Sequence, residues 1–183
     1  MNFEKQVTLT DGKKVLLRYP QIQDVVKLQQ YINTLSQEDT YLLVSGETFS
    51  QEEEQKYLND ALKLMKDKNK IQILAFHNEQ IIGNVEVNRM TKQRKRSLHV
   101  GEIAISVAKA YRGLGLGKIL IAEIIKAGKS LNLRQLYLTT FSINDRAKLL
   151  YKKMGFQIAG EIPGQILYKN KYIGQTIMYL PLK

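Results

Sequence analysis

The sequence contains no cysteine and no tryptophan. Without cysteine there can be no disulfide, no thiolate metal site and no cysteine nucleophile. Histidine occurs only at His77 and His99, too few for most metal clusters. No apolar run approaches the ~20 residues that a bilayer-crossing helix needs, and Met1 to Lys5 carry no signal-peptide apolar region. The expected setting is therefore cytoplasmic, with no membrane partner and no metal. Proline is scarce as well, with three residues. No Pro/Gly/Ser-rich linker, low-complexity tract or internal repeat breaks the chain. Its 183 residues suit one domain spanning residues 1–183.

Acidic residues are outnumbered. There are 17 Asp and Glu against 28 Lys and Arg, a net charge of +11. An excess of this kind either attracts polyanions, nucleic acid among them, or is a solvated lysine-rich surface. The densest run, Lys92-Gln93-Arg94-Lys95-Arg96, has no interleaved aromatic residue and so does not read as a stacking platform for single strands.

The apolar pattern changes period several times. Val7 to Leu9 and Val15 to Arg18 read as strands around the turn Asp11-Gly12. Val25, Leu28, Ile32 and Leu35 recur at helical spacing, and residues 36 to 49 read as a loop. Ser50 with Glu53 three residues later is a capping box. It opens a helix to about Asp67 that carries Tyr57, Leu58, Ala61, Leu62 and Met65 on one face. Ile71 to His77 and Ile81 to Asn88 read as an antiparallel pair, the basic run as a hairpin tip, and Leu98 to Val107 as the next strand. Gly113 to Ser130 reads as a glycine turn and helix, with Leu120, Ile121, Ile124 and Ile125 inward and Ala122 outward. A strand at Leu133 to Thr139 precedes a helix at Asn144 to Met154, stopped by Gly155. Strands from Phe156 towards Tyr168 and from Lys171 to Leu180 close the chain. The order ββααβββαβαββ implies an α/β (α+β) fold: a mixed, mostly antiparallel sheet flanked by helices.

The segment from Ile103 to Lys118 carries the clearest chemistry. A β-branched strand runs through a short loop into Arg112-Gly113-Leu114-Gly115-Leu116-Gly117 and then a helix. Glycine permits positive φ and close backbone approach. At a helix start, several N–H groups can then converge on one anion, which the helix dipole also favours. Arg112 and Lys118 bracket the turn, and the natural ligand is a diphosphate. A Walker A loop fails twice, because Arg112 stands five before Gly117 and Ile119 follows Lys118. The dinucleotide spacing also fails, since the third glycine is one residue early.

Arg112, Gly115 and Gly117 fill the Arg/Gln-x-x-Gly-x-Gly/Ala signature of the GNAT acetyltransferases. Asn144-Asp145-Arg146-Ala147-Lys148-Leu149-Leu150-Tyr151-Lys152-Lys153-Met154-Gly155-Phe156 also resembles that family's Asn-x-x-Ala-x-x-Leu-Tyr-x-Lys-x-Gly-Phe stretch. The resemblance is strongest from about Ile71 to Phe156. On spacing alone, Asn144 and Tyr151 lie on one side of a helix two turns apart, and Tyr151 reads as a core tyrosine with its hydroxyl satisfied by backbone.

The resemblance implies more. The strand before the turn splays from its neighbour, and the backbone of Ile105 and Val107 pairs with the pantetheine arm of acetyl-CoA. The amides from Arg112 through Gly113, Gly115 and Gly117 to Lys118 cradle the pyrophosphate. Asn144 bonds the pantetheine or nearby backbone. Tyr151 sits beside the thioester sulfur and protonates the leaving thiolate, while an amine attacks directly in a ternary complex. Some family members carry a glutamate five residues before that asparagine; this chain has Thr139 there. Glu102 and Glu86 are the alternative bases, acting directly or through water, because a carboxylate on a sheet face is costly to bury unless paired or functional. His99 is a further candidate.

The acceptor walls fall on residues 35 to 49, with Asp39, Tyr41 and Glu47, and on the final hairpin around Tyr168 to Tyr172. The acceptor is a primary amine, on a small molecule or a protein N-terminus. Two rival readings remain: a basic module that docks RNA or a ribosome and binds acetyl-CoA without turnover, and a nucleotide-dependent phosphotransferase. A homodimer is a family expectation.

Overall fold

The computed structural model describes residues 2–38, 40–90 and 95–183. Its elements in chain order are β1 (Glu4–Thr8), β2 (Lys14–Arg18), α1 (Val25–Ser36), α2 (Gln51–Lys66), β3 (Lys70–His77), β4 (Gln80–Arg89), β5 (Val100–Val107), α3 (Leu116–Ser130), β6 (Gln135–Phe141), α4 (Asp145–Lys153), β7 (Gln157–Tyr168) and β8 (Lys171–Pro181). The strands form one eight-stranded sheet in the order β1-β2-β3-β4-β5-β6-β8-β7. Neighbours are antiparallel except β5 and β6, which run parallel. The expected mixed, mostly antiparallel sheet with flanking helices is what forms.

Side-chain alternation explains why helices cover both faces. On β3, Ile71, Ile73 and Ala75 point one way and Gln72, Leu74 and Phe76 the other, and all six are buried. The first set joins a core with Leu116, Leu120, Ile121 and Ile124 of α3 and Tyr151 of α4. The second, through Leu74 and Phe76, packs on Val25, Leu28, Tyr31 and Leu35 of α1 and Leu58 of α2. Each fully buried leucine or isoleucine contributes about 1.5–3 kcal/mol, whereas an exposed ion pair contributes about 0–1 kcal/mol. The apolar layers therefore dominate stability.

Local signals are legible at several ends. Ser50 Oγ accepts a hydrogen bond from Glu53 N at 3.2 Å, and the Glu53 carboxylate accepts one from Ser50 N at 2.8 Å. Ahead of α1, buried Asp24 accepts two hydrogen bonds of 2.7 Å from Arg18, whose guanidinium lies 4.0 Å over the Phe76 ring. That pair fastens the start of α1 to the sheet.

Three expectations change in detail. The first hairpin turns through Leu9 to Lys13, closed by Leu9 N to Lys13 O at 2.9 Å, so its loop is longer than Asp11-Gly12 alone. On α3, Ile125 and Ala122 are both half-buried, while Glu123 is buried and bound to Lys5 and Lys126 at 2.9 Å each. β5 starts at Val100 because Lys95–Ser97 form a 3₁₀ turn. The expected hairpin tip at Lys92 to Arg94 lies outside the described residues; Lys95 and Arg96 are exposed. Among the described residues, no helix is long and apolar enough to cross a membrane.

Candidate active site

The site begins where β5 and β6 part. Their parallel ladder pairs Val100 with Gln135, Gly101 with Leu136 and Glu102 with Tyr137, and ends there. β5 continues to Val107 and β6 to Phe141. Val100 O accepts from Met90 N and Ala108 N donates to Ile82 O, so the even-numbered backbone groups of β5 face β4. Alternate residues of a strand turn these groups to opposite sides. Ile103, Ile105 and Val107 therefore present theirs to the opening, where β6 supplies no ladder partner. Val107 O accepts Arg112 Nε at 2.8 Å.

The chain leaves β5 through a 3₁₀ turn at Lys109–Tyr111. Gly113 and Gly115 then take φ of +89° and +87°, the left-handed region where an L side chain costs about 1–2 kcal/mol. The amides of a helix's first turn have no intrahelical acceptor. Here those of Gly113 to Lys118 take no hydrogen bond among the described residues. Thr10 N donates to Leu114 O at 3.1 Å, so the first hairpin holds the turn in place. A methyl group on Gly113 would lie 3.1 Å from Arg146 Nη2, which sets that guanidinium over the turn, while Lys118 at the end of the turn is exposed. Arg112 is engaged differently: besides Val107 O, its Nη2 pairs with Glu38. The turn thus combines free amides, positive φ and two cations, a fit for a diphosphate.

Helix α4 lies against the same opening. Asn144 caps it, its Oδ1 accepting from Ala147 N at 3.2 Å, and its amide nitrogen remains able to donate to a ligand. Tyr151 is buried in the apolar layer against which Ile105, Val107 and Leu114 also pack, with its ring 6.0 Å from Phe156. Its hydroxyl makes no hydrogen bond among the described residues, and burial alone acts on it. Burial pushes its pKa up to about 12, so at neutral pH it holds its proton.

The opposite face of the sheet carries the carboxylates. Glu102 occupies the last paired position before the opening and is exposed. Beside it, the Tyr137 hydroxyl donates to Met90 Sδ at 3.3 Å. Burial, and then the Glu102 carboxylate, push the Tyr137 pKa up to about 12. Glu86 differs: it meets Lys70 Nζ at 2.7 Å, Tyr57 Oη at 2.8 Å and Asn88 Nδ2 at 2.7 Å. Burial raises its pKa, but the Lys70 ammonium and these hydrogen bonds outweigh burial and leave it lowered. Both its oxygens are committed, and a carboxylate stabilised this strongly is a poor proton acceptor. Thr139 is exposed and accepts from Gln175 Nε2 at 3.3 Å. His99 is exposed, and its carbonyl receives Arg134 N and Gln135 N.

Of the acceptor-wall residues, Asp39 lies outside the described residues. Tyr41 packs against Phe141 at 5.8 Å and Tyr168 at 5.6 Å, and Phe141 meets Tyr168 at 5.7 Å. Loop, β6 end and final hairpin therefore meet in one aromatic cluster. Glu47 instead closes its own loop, accepting from Ser45 N and from Ser36 Oγ. Sequence reasoning missed Glu38, Phe141 and Arg146. Only Arg146 offered a signal, as a cation in a helix's first turn, where the dipole disfavours it. Among the described residues, no group of His, Asp and Glu could hold a metal ion.

Comparison with known proteins bears on this geometry. The profile of the acetyltransferase (GNAT) family matches residues 31–156. The L-amino acid N-acetyltransferase AaaT of Escherichia coli (strain K12) is 28% identical over 108 residues, covering 58% of this chain and 65% of that protein, just under two thirds of its length. A GNAT-family acetyltransferase structure from Streptococcus pneumoniae superposes with a TM-score of 0.83 at 31% identity, covering 92% of this chain and 99% of that one. A phosphinothricin acetyltransferase from Sinorhizobium meliloti, solved with acetyl-CoA, shares the fold at a TM-score of 0.77 and 17% identity, covering 96% and 89%.

Proposed function

The chain belongs to the GNAT acetyltransferase family, and from that premise we propose that it transfers the acetyl group of acetyl-CoA to a primary amine by direct attack in a ternary complex. The observation that carries this reading is the unpaired edge of β5 running into a glycine turn with free amides. A pantetheine arm carries amides that can pair with such an edge as another strand would, and a pyrophosphate suits the turn. The Ile105 backbone and the Val107 N–H hold the arm, while Val107 O is kept for Arg112. The amides from Gly113 to Lys118 bind the pyrophosphate, with Lys118 and Arg146 supplying charge. Asn144 reaches the arm through its amide hydrogens.

The chemistry needs a neutral amine, a polarised carbonyl and a proton for the leaving thiolate. Glu102, exposed where the strands part, takes a proton from the ammonium through water. The amine nitrogen then bonds the thioester carbon, and a β5 amide stabilises the oxygen that gains charge. As the carbon–sulfur bond breaks, Tyr151 gives its proton to sulfur and recovers one from the new amide nitrogen. Free thiol, an N-acetyl amine and one released proton balance the reaction. Glu86 serves as structure, since Lys70 holds it ionised.

A thiol-release assay with acetyl-CoA and a panel of amino acids, polyamines and peptides tests the reading. Turnover with at least one amine is expected. Tyr151→Phe should lower kcat by about 10²–10⁴-fold with acetyl-CoA affinity unchanged. Full activity in that variant removes Tyr151 as the acid, and no thiol release with any amine removes the enzyme reading.

A further inference from the structure

The segment between α1 and α2 is more than a wall. Its neck is closed on α1: Gly46 N donates to Ser36 O at 2.9 Å, Phe49 N to Asn33 Oδ1 at 2.8 Å, and Asn33 Nδ2 and Gln29 Nε2 both to Phe49 O at 3.0 Å. Ends held this close are those of a compact surface loop. Its outer part reaches both sides of the opening between β5 and β6. On the β5 side, Glu38 Oε1 accepts Lys109 N at 3.2 Å, and Oε2 pairs with Arg112. On the β6 side, Tyr41 packs on Phe141 and Tyr168. A third tie lies beneath, where Tyr31 and Ser106 share a hydrogen bond of 3.0 Å between α1 and the opened part of β5.

The side chains of the Glu38–Arg112 pair are only 11% and 27% exposed, so solvent screens it less than a surface pair. Arg112 therefore spends its charge on the loop and its Nε on β5, and not on the turn that follows it. Any ligand that fixes the turn fixes Lys109 and Arg112, and through Glu38 it fixes the loop.

We propose that Glu38 is a positioning residue that joins the cofactor turn to the acceptor wall: a bound acetyl-CoA orders the loop through Glu38, and the loop seats Tyr41 against Phe141 and the β7–β8 hairpin. The inference rests on acetyl-CoA occupying the Gly113 to Lys118 turn. The coupling is entropic, because ordering one end of the strap lowers the cost of ordering the other, and it is reciprocal between cofactor and acceptor.

Hydrogen exchange of the amides of residues 40–49, with and without acetyl-CoA, tests it. In the wild type, acetyl-CoA slows exchange there about fivefold or more. Glu38→Gln should bind acetyl-CoA within about threefold of wild type by calorimetry yet lose that slowing, and its amine KM should rise while kcat holds. A merely structural role would lower folded fraction without removing a ligand-dependent difference. Equal slowing in Glu38→Gln, or none in the wild type despite binding, overturns the proposal. A wild type that binds no acetyl-CoA overturns the parent reading as well. Tyr41→Leu approaches from the far end and leaves the Glu38–Arg112 pair intact. It should abolish acetyl-CoA protection of residues 166–173 in the hairpin, and retained protection there likewise overturns the coupling.

Discussion

Gly115 shows what one residue can be asked to do. Its φ of +87° suits glycine, and a methyl group there would meet Thr10 Cγ2 at 3.5 Å, an ordinary contact. The space tolerates a side chain; the backbone and the expected phosphate do not. Gly115→Asp should weaken acetyl-CoA binding on the order of 100-fold, the worth of one or two charge-assisted hydrogen bonds, as read by calorimetry. Unchanged affinity would move the pyrophosphate elsewhere. Tyr151 makes a second argument at this scale. Its pKa, raised to about 12 by burial, keeps the hydroxyl protonated across the working range. The Tyr151-dependent rate should therefore rise with pH as the amine deprotonates and show no falling limb below about pH 10. The same raised pKa adds stability that is fully present below about pH 10 and is lost as pH climbs towards 12.

At the scale of elements, the polar patch under α2 joins three parts of the fold. Lys70 and Glu86 form a pair whose side chains are 4% and 12% exposed, and Tyr57 of α2 donates to the same carboxylate. Burying both charges is costly, and removing one partner is costlier. Lys70→Met should destabilise the protein by about 3–5 kcal/mol at neutral pH, read by denaturant melts. Glu86 has a lowered pKa, so its contribution is present above its unfolded pKa of 4.5 and is lost as pH falls below that value. In Lys70→Met the carboxylate loses the charge that lowered its pKa, and the deficit against wild type should shrink in acid. A deficit that stays constant with pH would mean that the pair is not what holds α2. The splay of β5 from β6 also belongs to this scale. The apolar pattern of each strand is legible from sequence, but the point at which their ladder stops, after Glu102 and Tyr137, is a relation between strands and not a property of either.

At the scale of the molecule, the net charge of +11 meets a ligand rich in phosphate. If that charge steers acetyl-CoA, its association rate should fall steeply between about 0.05 and about 0.5 M salt while dissociation changes less. Stopped-flow rates indifferent to salt would identify the excess lysines as a solvated surface. Within this basic chain, Glu86 and Glu102 lie on one sheet face of neighbouring strands and Glu38 lies beyond the end of β5, with Glu38 paired to Arg112 and Glu86 to Lys70. Charge distribution, not net charge, therefore distinguishes the two sides of the opening.

The sequence by itself determined the element order, the capping of α2, the glycine turn and the Asn144–Tyr151 helix. Each of these is written within a few turns of chain: glycine permits positive φ, a hydroxyl caps the helix that follows it, and apolar residues recur every three or four positions. Only the tertiary structure decided that Lys70 ties down Glu86 while Glu102 is left exposed beside Tyr137, that the Arg112 guanidinium serves the loop, and that Tyr41, Phe141 and Tyr168 meet. Those contacts join distant segments, 74 residues apart for Glu38 and Arg112. No local pattern encodes them, because they exist only once the sheet has brought its strands into register.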